Sequence, residues 1–292
     1  EETMSRILAA LACLALVGCQ PEPVAEPNPV ATEVSLAAIL DAQPDEARAR
    51  YAYRHPRETI EFFGIEPGMT VVEGLPGGGW YTRILLPFLG EDGRLIGADY
   101  SLDMYPNFGF ATDEFLAEQA KWVPNWVAWG REFAGENGAD VRAFHFGSLP
   151  DDLAGTADVV LMVRALHNLA RFEDEGGFLT EALGEAFAVL KPGGTLGIVQ
   201  HHARDEMSDE FANGSRGYLK KGFVIAAVEN AGFEFVAESD INANPKDQPS
   251  EEDMVWRLPP VLGSSGDNPE LRAELEAIGE SNRMTLRFRK PE

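Results

Sequence analysis

Apolar runs that suit buried strands alternate with helical stretches from about residue 56 onward. Proline in a first turn and glycine past an end mark a helix from Pro56 to Gly64, and a second helix is expected from Trp80 to Leu89. The apolar runs predict seven strands, at residues 70–73, 94–99, 141–146, 158–163, 195–200, 233–238 and 284–288. This alternation favours an α/β fold, with a mostly parallel sheet that carries helices on both faces.

Three segments depart from the simple alternation. Residues 191–194, Lys-Pro-Gly-Gly, are expected to form a turn into the fifth strand. Residues 241–281 form an insertion rich in Pro, Asp and Glu, which suits either a lid or a surface excursion. Residues 101–140 form another insertion, and five of its aromatic residues fall on one helical face: Phe115, Trp122, Trp126, Trp129 and Phe133. That face suits either packing on the core or the wall of a substrate pocket.

The charge and the cysteines exclude several kinds of site. The 292 residues include 24 Lys+Arg and 48 Asp+Glu, a formal net charge of −24, which argues against nucleic acid as a partner. Cys13 and Cys19 both lie in the first twenty residues, and no cysteine follows. A disulfide framework, a Cys-rich zinc site and a thiol nucleophile are therefore excluded from the folded body.

The first residues have the character of an export signal. One cation, Arg6, precedes an apolar run from Ile7 to Val17, which is too short to span a bilayer. The ending Leu-Val-Gly-Cys19 resembles the lipobox of bacterial lipoproteins, whose cysteine receives a lipid; an ordinary cleaved signal with an incidental Cys19 is the alternative. We therefore expect a lipoprotein signal peptide at 1–18, a proline-rich linker at 19–34 and a domain at 35–292. The resemblance implies a protein of the bacterial cell envelope, anchored to the membrane at Cys19 and facing the periplasm.

A glycine-rich turn follows the first strand. It reads Glu73-Gly-Leu-Pro-Gly-Gly-Gly-Trp80, and glycines there let the backbone approach a ligand closely. The second strand ends at Asp99, twenty residues after Gly79, about the offset at which an acidic residue meets a ribose hydroxyl in nucleotide-binding folds. Thr82 stands where the dinucleotide fingerprint G-x-G-x-x-G has its third glycine.

This turn resembles motif I, E/D-x-G-x-G-x-G, of the class I S-adenosylmethionine-dependent methyltransferases. Glu73, Gly77 and Gly79 match the motif, whereas Leu75 replaces its first glycine. Seven strands, with the last close to the C-terminus, also resemble that family, which implies a Rossmann-like sheet with an antiparallel last strand.

The likeness extends over residues 50–291, to a subfamily of predicted bacterial methyltransferases that are often exported. It rests on the stretches 55–56, 68–73, 76–82, 164–168, 191–194 and 283–291. The resemblance implies that Asp99 holds the ribose of S-adenosylmethionine and that Gly147 and Ser148 lie against its adenine, although many relatives have Asp where this chain has Ser148. The expected cofactor-binding residues are Glu73, Pro76, Gly77, Gly78, Gly79, Tyr81, Asp99, Tyr100, Gly147 and Ser148.

Candidate catalytic residues follow the fourth strand, because open parallel sheets bind ligands beyond the carboxyl ends of their strands. They are Arg164, His167 and Asn168. His167 has a suitable pKa for a general base, with a neutral, hydrogen-bonded histidine as the alternative. Arg164 or Tyr81 could orient an acceptor, or each could be structural. His167 lies near His201 and His202 in this scheme, but no metal-ligand spacing supports a metal site, and none is expected.

The leading hypothesis is a methyltransferase that uses S-adenosylmethionine on a small-molecule acceptor. A lipoprotein acts outside the cytoplasm, where this cofactor is not known to be supplied. The alternative is therefore a non-catalytic ligand-binding lipoprotein on the same fold. A nicotinamide-dependent oxidoreductase is a third hypothesis.

Overall fold

The computed structural model describes residues 35–135 and 138–292. The expected signal peptide, the lipidation site Cys19 and the linker at 19–34 lie outside the described residues. Within the described part of the chain, no helix is long and apolar enough to cross a bilayer.

Eight strands and twelve α-helices make up the described chain, with three short 3₁₀ turns at Tyr105–Asn107, Asp151–Leu153 and Val255–Arg257. The strands are β1 (Thr70–Gly74), β2 (Arg94–Asp99), β3 (Asp140–His145), β4 (Ala157–Val163), β5 (Leu190–Ala203), β6 (Leu219–Lys220), β7 (Glu234–Ser239) and β8 (Arg283–Arg289). The helices are α1 (Leu36–Asp41), α2 (Asp45–Arg48), α3 (Tyr51–Arg54), α4 (Pro56–Phe63), α5 (Thr82–Leu89), α6 (Asp113–Gln119), α7 (Trp122–Ala134), α8 (Leu166–Arg171), α9 (Glu173–Gly176), α10 (Phe178–Val189), α11 (Lys221–Asn230) and α12 (Pro269–Ile278).

The sheet has the order β3-β2-β1-β4-β5-β8-β7, with β6 paired to the end of β5. Strands β1 to β5 run parallel, whereas β8 is antiparallel to both β5 and β7. The predicted Rossmann-like sheet with an antiparallel last strand is therefore confirmed. The chain moves outward from β1 in one direction and from β4 in the other, so the switch point of the sheet lies between β1 and β4.

Successive residues of the central strands are buried on opposite faces. Val71 and Val159 pack with α1, α4 and α5 on one side, and Val72 and Val160 pack with α10 and α11 on the other. Since side chains alternate along a strand, a sheet covered on both faces needs continuous apolar runs, which is the pattern of these strands.

Local signals explain where several elements begin and end. Ser35 caps α1 by accepting a hydrogen bond from the amide of Ala38 at 3.3 Å. Helix α4 begins at Pro56 and ends before Gly64, whose φ of 71° is left-handed. These two features agree with the boundaries expected from the sequence.

Two local features differ from the expectation. Residues 191–194 are not a separate turn before the fifth strand, because β5 already begins at Leu190 and pairs there with Ala157. The next paired positions are Val159 and Thr195, so residues 191–194 form a bulge within β5. The chain also forms an eighth, two-residue strand, β6, which has too few residues to produce a periodic pattern.

The segment 241–281 contains α12 and a small core of its own. Leu258, Leu262 and Leu275 are buried together there. Asp247 is buried and accepts hydrogen bonds from Arg257 at 2.8 Å and from Tyr218 at 3.0 Å. These contacts attach the segment to the region after β5.

Candidate functional site

A cavity of about 550 Å³ opens at the carboxyl edge of the sheet, beside its switch point. This volume is in the range of ligand pockets. Its lining combines one glycine of the β1–α5 loop, the carboxylate at the end of β2, and a set of aromatic and polar side chains: Gly77, Asp99, Tyr100, Tyr105, Phe108, Phe110, Phe115, Gln119, Trp122, Asn168, Arg171 and Trp256. Gly77 and Asp99, which the sequence places in one site, therefore line the same cavity.

The glycine turn leaves the backbone bare where it meets the cavity. A Cβ built on Gly77 would find only the carbonyl oxygen of Leu75 within 4 Å, at 3.9 Å, and one built on Gly78 would find nothing. Gly79 differs, since a Cβ there would lie 2.7 Å from the ring of Trp129. Gly77 and Gly78 thus leave room for a ligand, whereas Gly79 lets α7 pack against the loop.

Leu75 occupies the motif position that the family fills with glycine, and its backbone is left-handed, with φ of 54°. A non-glycine residue in this region costs about 1–2 kcal/mol. Its amide donates to the carbonyl of Ala98 at 2.7 Å, which holds the strained residue between β1 and β2. Leu75 therefore has a backbone conformation that glycine adopts most easily, and such strain is concentrated at functional sites.

Glu73 closes the base of the same loop. It is buried and accepts a hydrogen bond from the Thr82 hydroxyl at 2.6 Å. Burial raises the pKa of Glu73 to about 7, against the opposing effect of the Thr82 hydrogen bonds. Thr82, which the dinucleotide fingerprint would replace with glycine, thus joins the first turn of α5 to β1. Glu73 does not line the cavity.

Asp99 presents a carboxylate at the end of β2. It is buried, and its Oδ2 accepts a hydrogen bond from the Tyr105 hydroxyl at 2.7 Å. Burial raises the pKa of Asp99, and the Tyr105 hydrogen bond opposes that shift. A carboxylate has two oxygens and about four acceptor directions, so Asp99 retains acceptor capacity for hydroxyl groups of a ligand. Tyr105 was not found by sequence reasoning.

Tyr100 and Asn168 bring the ends of β2 and β4 together at the cavity. The Asn168 amide donates to the Tyr100 hydroxyl at 3.0 Å. Burial raises the pKa of Tyr100, so its hydroxyl remains protonated at neutral pH. Arg171 and Trp256 line the cavity nearby, and sequence reasoning found neither. Trp256 comes from the 241–281 segment, far along the chain, where no motif marks it.

Six other residues of the expected cofactor set do not line the cavity: Gly78 and Gly79 next to Gly77, and Pro76, Tyr81, Gly147 and Ser148. Pro76 is buried under the loop, and Tyr81 is buried with its hydroxyl 3.4 Å from the carbonyl of Arg54. The amide of Gly147 donates to Glu185 at 2.9 Å, and the hydroxyl of Ser148 donates to the carbonyl of His145 at 2.7 Å. The binding roles of these residues stay predictions.

His167, the expected base, does not line the cavity but lies behind Trp256, which does. Its ring is 5.8 Å from the cavity residue Trp256 and 5.5 Å from His201. Burial lowers the pKa of His167 to about 4, so the ring is neutral at neutral pH, and its Nδ1 is buried without a hydrogen-bond partner. The His201 Nδ1 is 2.6 Å from the Ser281 hydroxyl. Within residues 35–135 and 138–292, no group of three or more His, Cys, Asp or Glu is placed to hold a metal.

Arg164 follows β4 directly and is half-buried. Its backbone is left-handed, with φ of 58°, and its amide donates to the carbonyl of Val199 at 2.6 Å. Its side chain does not line the cavity and belongs instead to a group of arginines near Glu280. Sequence reasoning did not find this group, since its members come from both ends of the domain.

Of the five aromatic residues in the 101–140 segment, some line the cavity and others pack on the core, so each of the two interpretations applies to part of the set. The segment forms two helices, α6 and α7, rather than one. Phe115 and Trp122 line the cavity, whereas Trp126 and Trp129 pack on Gly97 and Gly79. Phe133 is exposed.

Comparison with known proteins finds likeness only among solved structures, since the chain matches no family model and no curated protein. A geranyl diphosphate methyltransferase in complex with S-adenosylmethionine is 12% identical, with a TM-score of 0.49 over 90% of this chain and 92% of that one. An arsenic(III) S-adenosylmethionine methyltransferase from Chlamydomonas reinhardtii is 16% identical, with a TM-score of 0.48 over 88% and 73%. A methyltransferase from Aquifex aeolicus is 19% identical, with a TM-score of 0.44 over 71% and 93%.

Proposed function

We propose that this protein is an S-adenosylmethionine-dependent methyltransferase acting on a small molecule. The observation that carries the proposal is the shared cavity of Gly77 and Asp99. A bare backbone suits close approach of a ligand, and the carboxylate suits the hydroxyls of a ribose. Aromatic side chains around them, Tyr100, Phe115 and Trp122 among them, suit stacking on a purine.

The bound cofactor would supply an electrophilic methyl group on a sulfonium. The chain's own contribution is to hold the nucleoside at Asp99 and to exclude water with the aromatic lining. Holding two reactants in the reacting geometry can lower the activation barrier by about 7–11 kcal/mol, as estimated from intramolecular reactions. The Asn168–Tyr100 hydrogen bond fixes two polar groups at the switch point, where such alignment is needed.

Calorimetric titration with S-adenosylmethionine and S-adenosylhomocysteine tests the proposal. We expect both to bind, and Asp99→Asn to weaken binding about tenfold or more, since hydrogen bonds to a charged group contribute about 1.5–3 kcal/mol. Asp103→Asn is the matched control, because Asp103 is exposed and does not line the cavity. Absence of binding at millimolar concentration would remove the enzyme assignment.

A second candidate is a non-catalytic protein that retains the pocket for another ligand. It is favoured by the position of His167 behind the cavity and by the internal hydrogen bonds of Gly147 and Ser148. Native mass spectrometry of protein purified from its own envelope separates the two. A retained nucleoside cofactor supports the enzyme, and a different retained molecule supports the binding protein.

The proposed function also includes export and lipid anchoring at Cys19, supported by the lipobox-like ending Leu16-Val-Gly-Cys19. Expression in a bacterium, followed by fractionation, tests it. We expect the wild-type chain in the membrane fraction with a fatty-acid label and Cys19→Ser without the label. Equal labelling of Cys19→Ser would contradict the anchor.

A further inference from the structure

Four arginines from three parts of the chain gather near one carboxylate. Glu280 is within 2.6 Å of an Arg50 Nη2, 3.1 Å of the Arg54 Nε and 3.2 Å of an Arg283 Nη2. Arg54, Arg283 and Glu280 are all nearly inaccessible to solvent. The fourth arginine, Arg164, makes no salt bridge among the described residues. We call these four the arginine cluster.

The positive charge of the arginine cluster exceeds the negative charge of Glu280. Burial and the charge of Arg283 together lower the pKa of Arg164 to about 10, against the attraction of Glu280. Burial and the charge of Arg164 lower the pKa of Arg54 to about 10 in the same way. Even so, both guanidinium groups remain charged at neutral pH. Buried charges are costly unless they are paired, so the excess favours an anion at this position.

Hydrogen-bond donors of the arginine cluster remain free to receive that anion. The Nε of Arg164 and the Nη2 of Arg54 are buried and have no hydrogen-bond partner within residues 35–135 and 138–292. The Arg54 guanidinium also lies 4.6 Å from the centre of the Trp80 ring, which fixes its plane. Arg50 and Arg164 are the partly exposed members, and of these two only Arg164 makes no salt bridge among the described residues.

The arginine cluster lies next to the proposed cofactor site. Arg164 follows β4, the strand that pairs with β1, and precedes Asn168 of the cavity by four residues. The hydroxyl of Tyr81, two residues after Gly79, lies 3.4 Å from the carbonyl oxygen of Arg54, which places Tyr81 against the cluster. The left-handed backbone of Arg164 is strained, and strain of this kind is concentrated at functional sites.

We propose that the arginine cluster binds an oxyanion of the methyl acceptor, a carboxylate or phosphate, with Arg164 as the direct contact. The planar guanidinium fork matches the oxygens of either group, which is why arginine is favoured for both. This inference rests on the proposed methyltransferase function, because only that function makes the neighbouring ligand an acceptor. The acceptor class is then a small anionic molecule.

Thermal denaturation with inorganic phosphate, against chloride at equal ionic strength, tests the proposal. We expect phosphate to raise the midpoint of the wild-type protein and Arg164→Met to bind phosphate about tenfold or more weakly, as expected for loss of a charged hydrogen bond. Arg289→Met is the matched control, since Arg289 is an exposed arginine at the opposite end of β8 from Arg283, where it pairs with Glu234 of β7. It should retain the wild-type phosphate response.

S-adenosylhomocysteine binding, measured on the same samples, separates the two proposals and reports whether Arg164→Met is folded. Wild-type protein that binds S-adenosylhomocysteine but not phosphate overturns the anion site and leaves the proposed function standing. Equal phosphate responses of the wild type and Arg164→Met also overturn it. Phosphate binding that depends on Arg164, without S-adenosylhomocysteine binding, supports the anion site and removes the methyltransferase.

Discussion

Where β1 and β2 end, the edge of the sheet is lined by aromatic rings and the carboxylate of Asp99, whereas arginines gather near the end of β4 and the start of β8. On the first side, burial raises the pKa of Asp99 at the cavity and the pKa of Glu73 at the base of the glycine turn. On the second side, Arg54 and Arg164 keep pKa values of about 10 and remain charged near the single carboxylate of Glu280. The two regions share one sheet edge but suit ligands of different chemistry.

This difference indicates that the two regions of the edge suit two different ligands. An aromatic cavity with an acceptor group suits a nucleoside, and a buried cationic cluster suits an anion. Arg164 follows β4 directly and Asn168 lies in the first turn of α8, which begins at Leu166, so the two regions meet near the switch point. A cofactor on one side and an acceptor on the other would meet there.

The largest expected effect comes from breaking the cationic side. Glu280→Gln removes the carboxylate that Arg50, Arg54 and Arg283 share, leaving buried cations unpaired. Breaking a buried pair in this way costs about 3–5 kcal/mol, and we expect a loss of that size in urea denaturation. Glu234→Gln breaks the exposed pair with Arg289 and should cost less than about 1 kcal/mol. Equal losses in the two variants would contradict a buried cluster.

The pH dependence of stability tests the burial of Glu73 at the base of the glycine turn. The folded pKa of Glu73 is raised to about 7 from 4.5, so the folded chain holds a proton that the unfolded chain has released between these values. The free energy of unfolding therefore falls as pH rises through that window, by on the order of 3 kcal/mol. Glu73→Gln removes this pH dependence. The free energy of unfolding of the variant, relative to that of the wild type, should therefore rise between pH 5 and pH 8.

Histidine titration does not obscure this comparison. The folded pKa of His167 is lowered to about 4 from 6.5, so its contribution to stability rises with pH between those values, opposite in sign to Glu73. Since His167 is present in both proteins, the difference between their urea curves isolates Glu73. A difference that stays constant with pH would show that Glu73 is not buried in its neutral form.

The smallest expected effects distinguish positions within the glycine turn. Gly79→Ala places a Cβ 2.7 Å from Trp129 at φ of 73°, and we expect a loss of about 1–3 kcal/mol. Gly78→Ala is the control, since its Cβ meets nothing within 4 Å and its φ is not left-handed; its loss should be within about 0.5 kcal/mol. Thermal or urea denaturation measures both, and a larger loss in Gly78→Ala would contradict the described loop.

The strands and the turn after β1 could be predicted because their signals are local. Continuous apolar runs mark the buried strands, and residues 94–99 form β2 as expected. The pairing of Gly77 with Asp99 follows from the geometry of parallel strands, since the carboxyl ends of β1 and β2 meet at one edge.

The rest depends on contacts between distant segments, which no local pattern records. Trp256 reaches the cavity from the 241–281 segment, and Glu280 joins Arg54 across 226 residues of chain. The sequence also did not show which aromatic residues of the 101–140 segment line the cavity and which pack on the core. Helical spacing places the residues on one face but does not reveal the break between α6 and α7. The bulge at 191–194 depends on pairing with β4 in the same way.

A crystal structure with S-adenosylhomocysteine tests the central claim most directly. The account predicts the nucleoside in the cavity, with its ribose hydroxyls on Asp99 and its amino-acid end along Gly77 and Gly78. A ligand bound elsewhere, for example in the cleft beside Phe223 between α10 and α11, or a cavity that stays empty at saturating concentration, would contradict it.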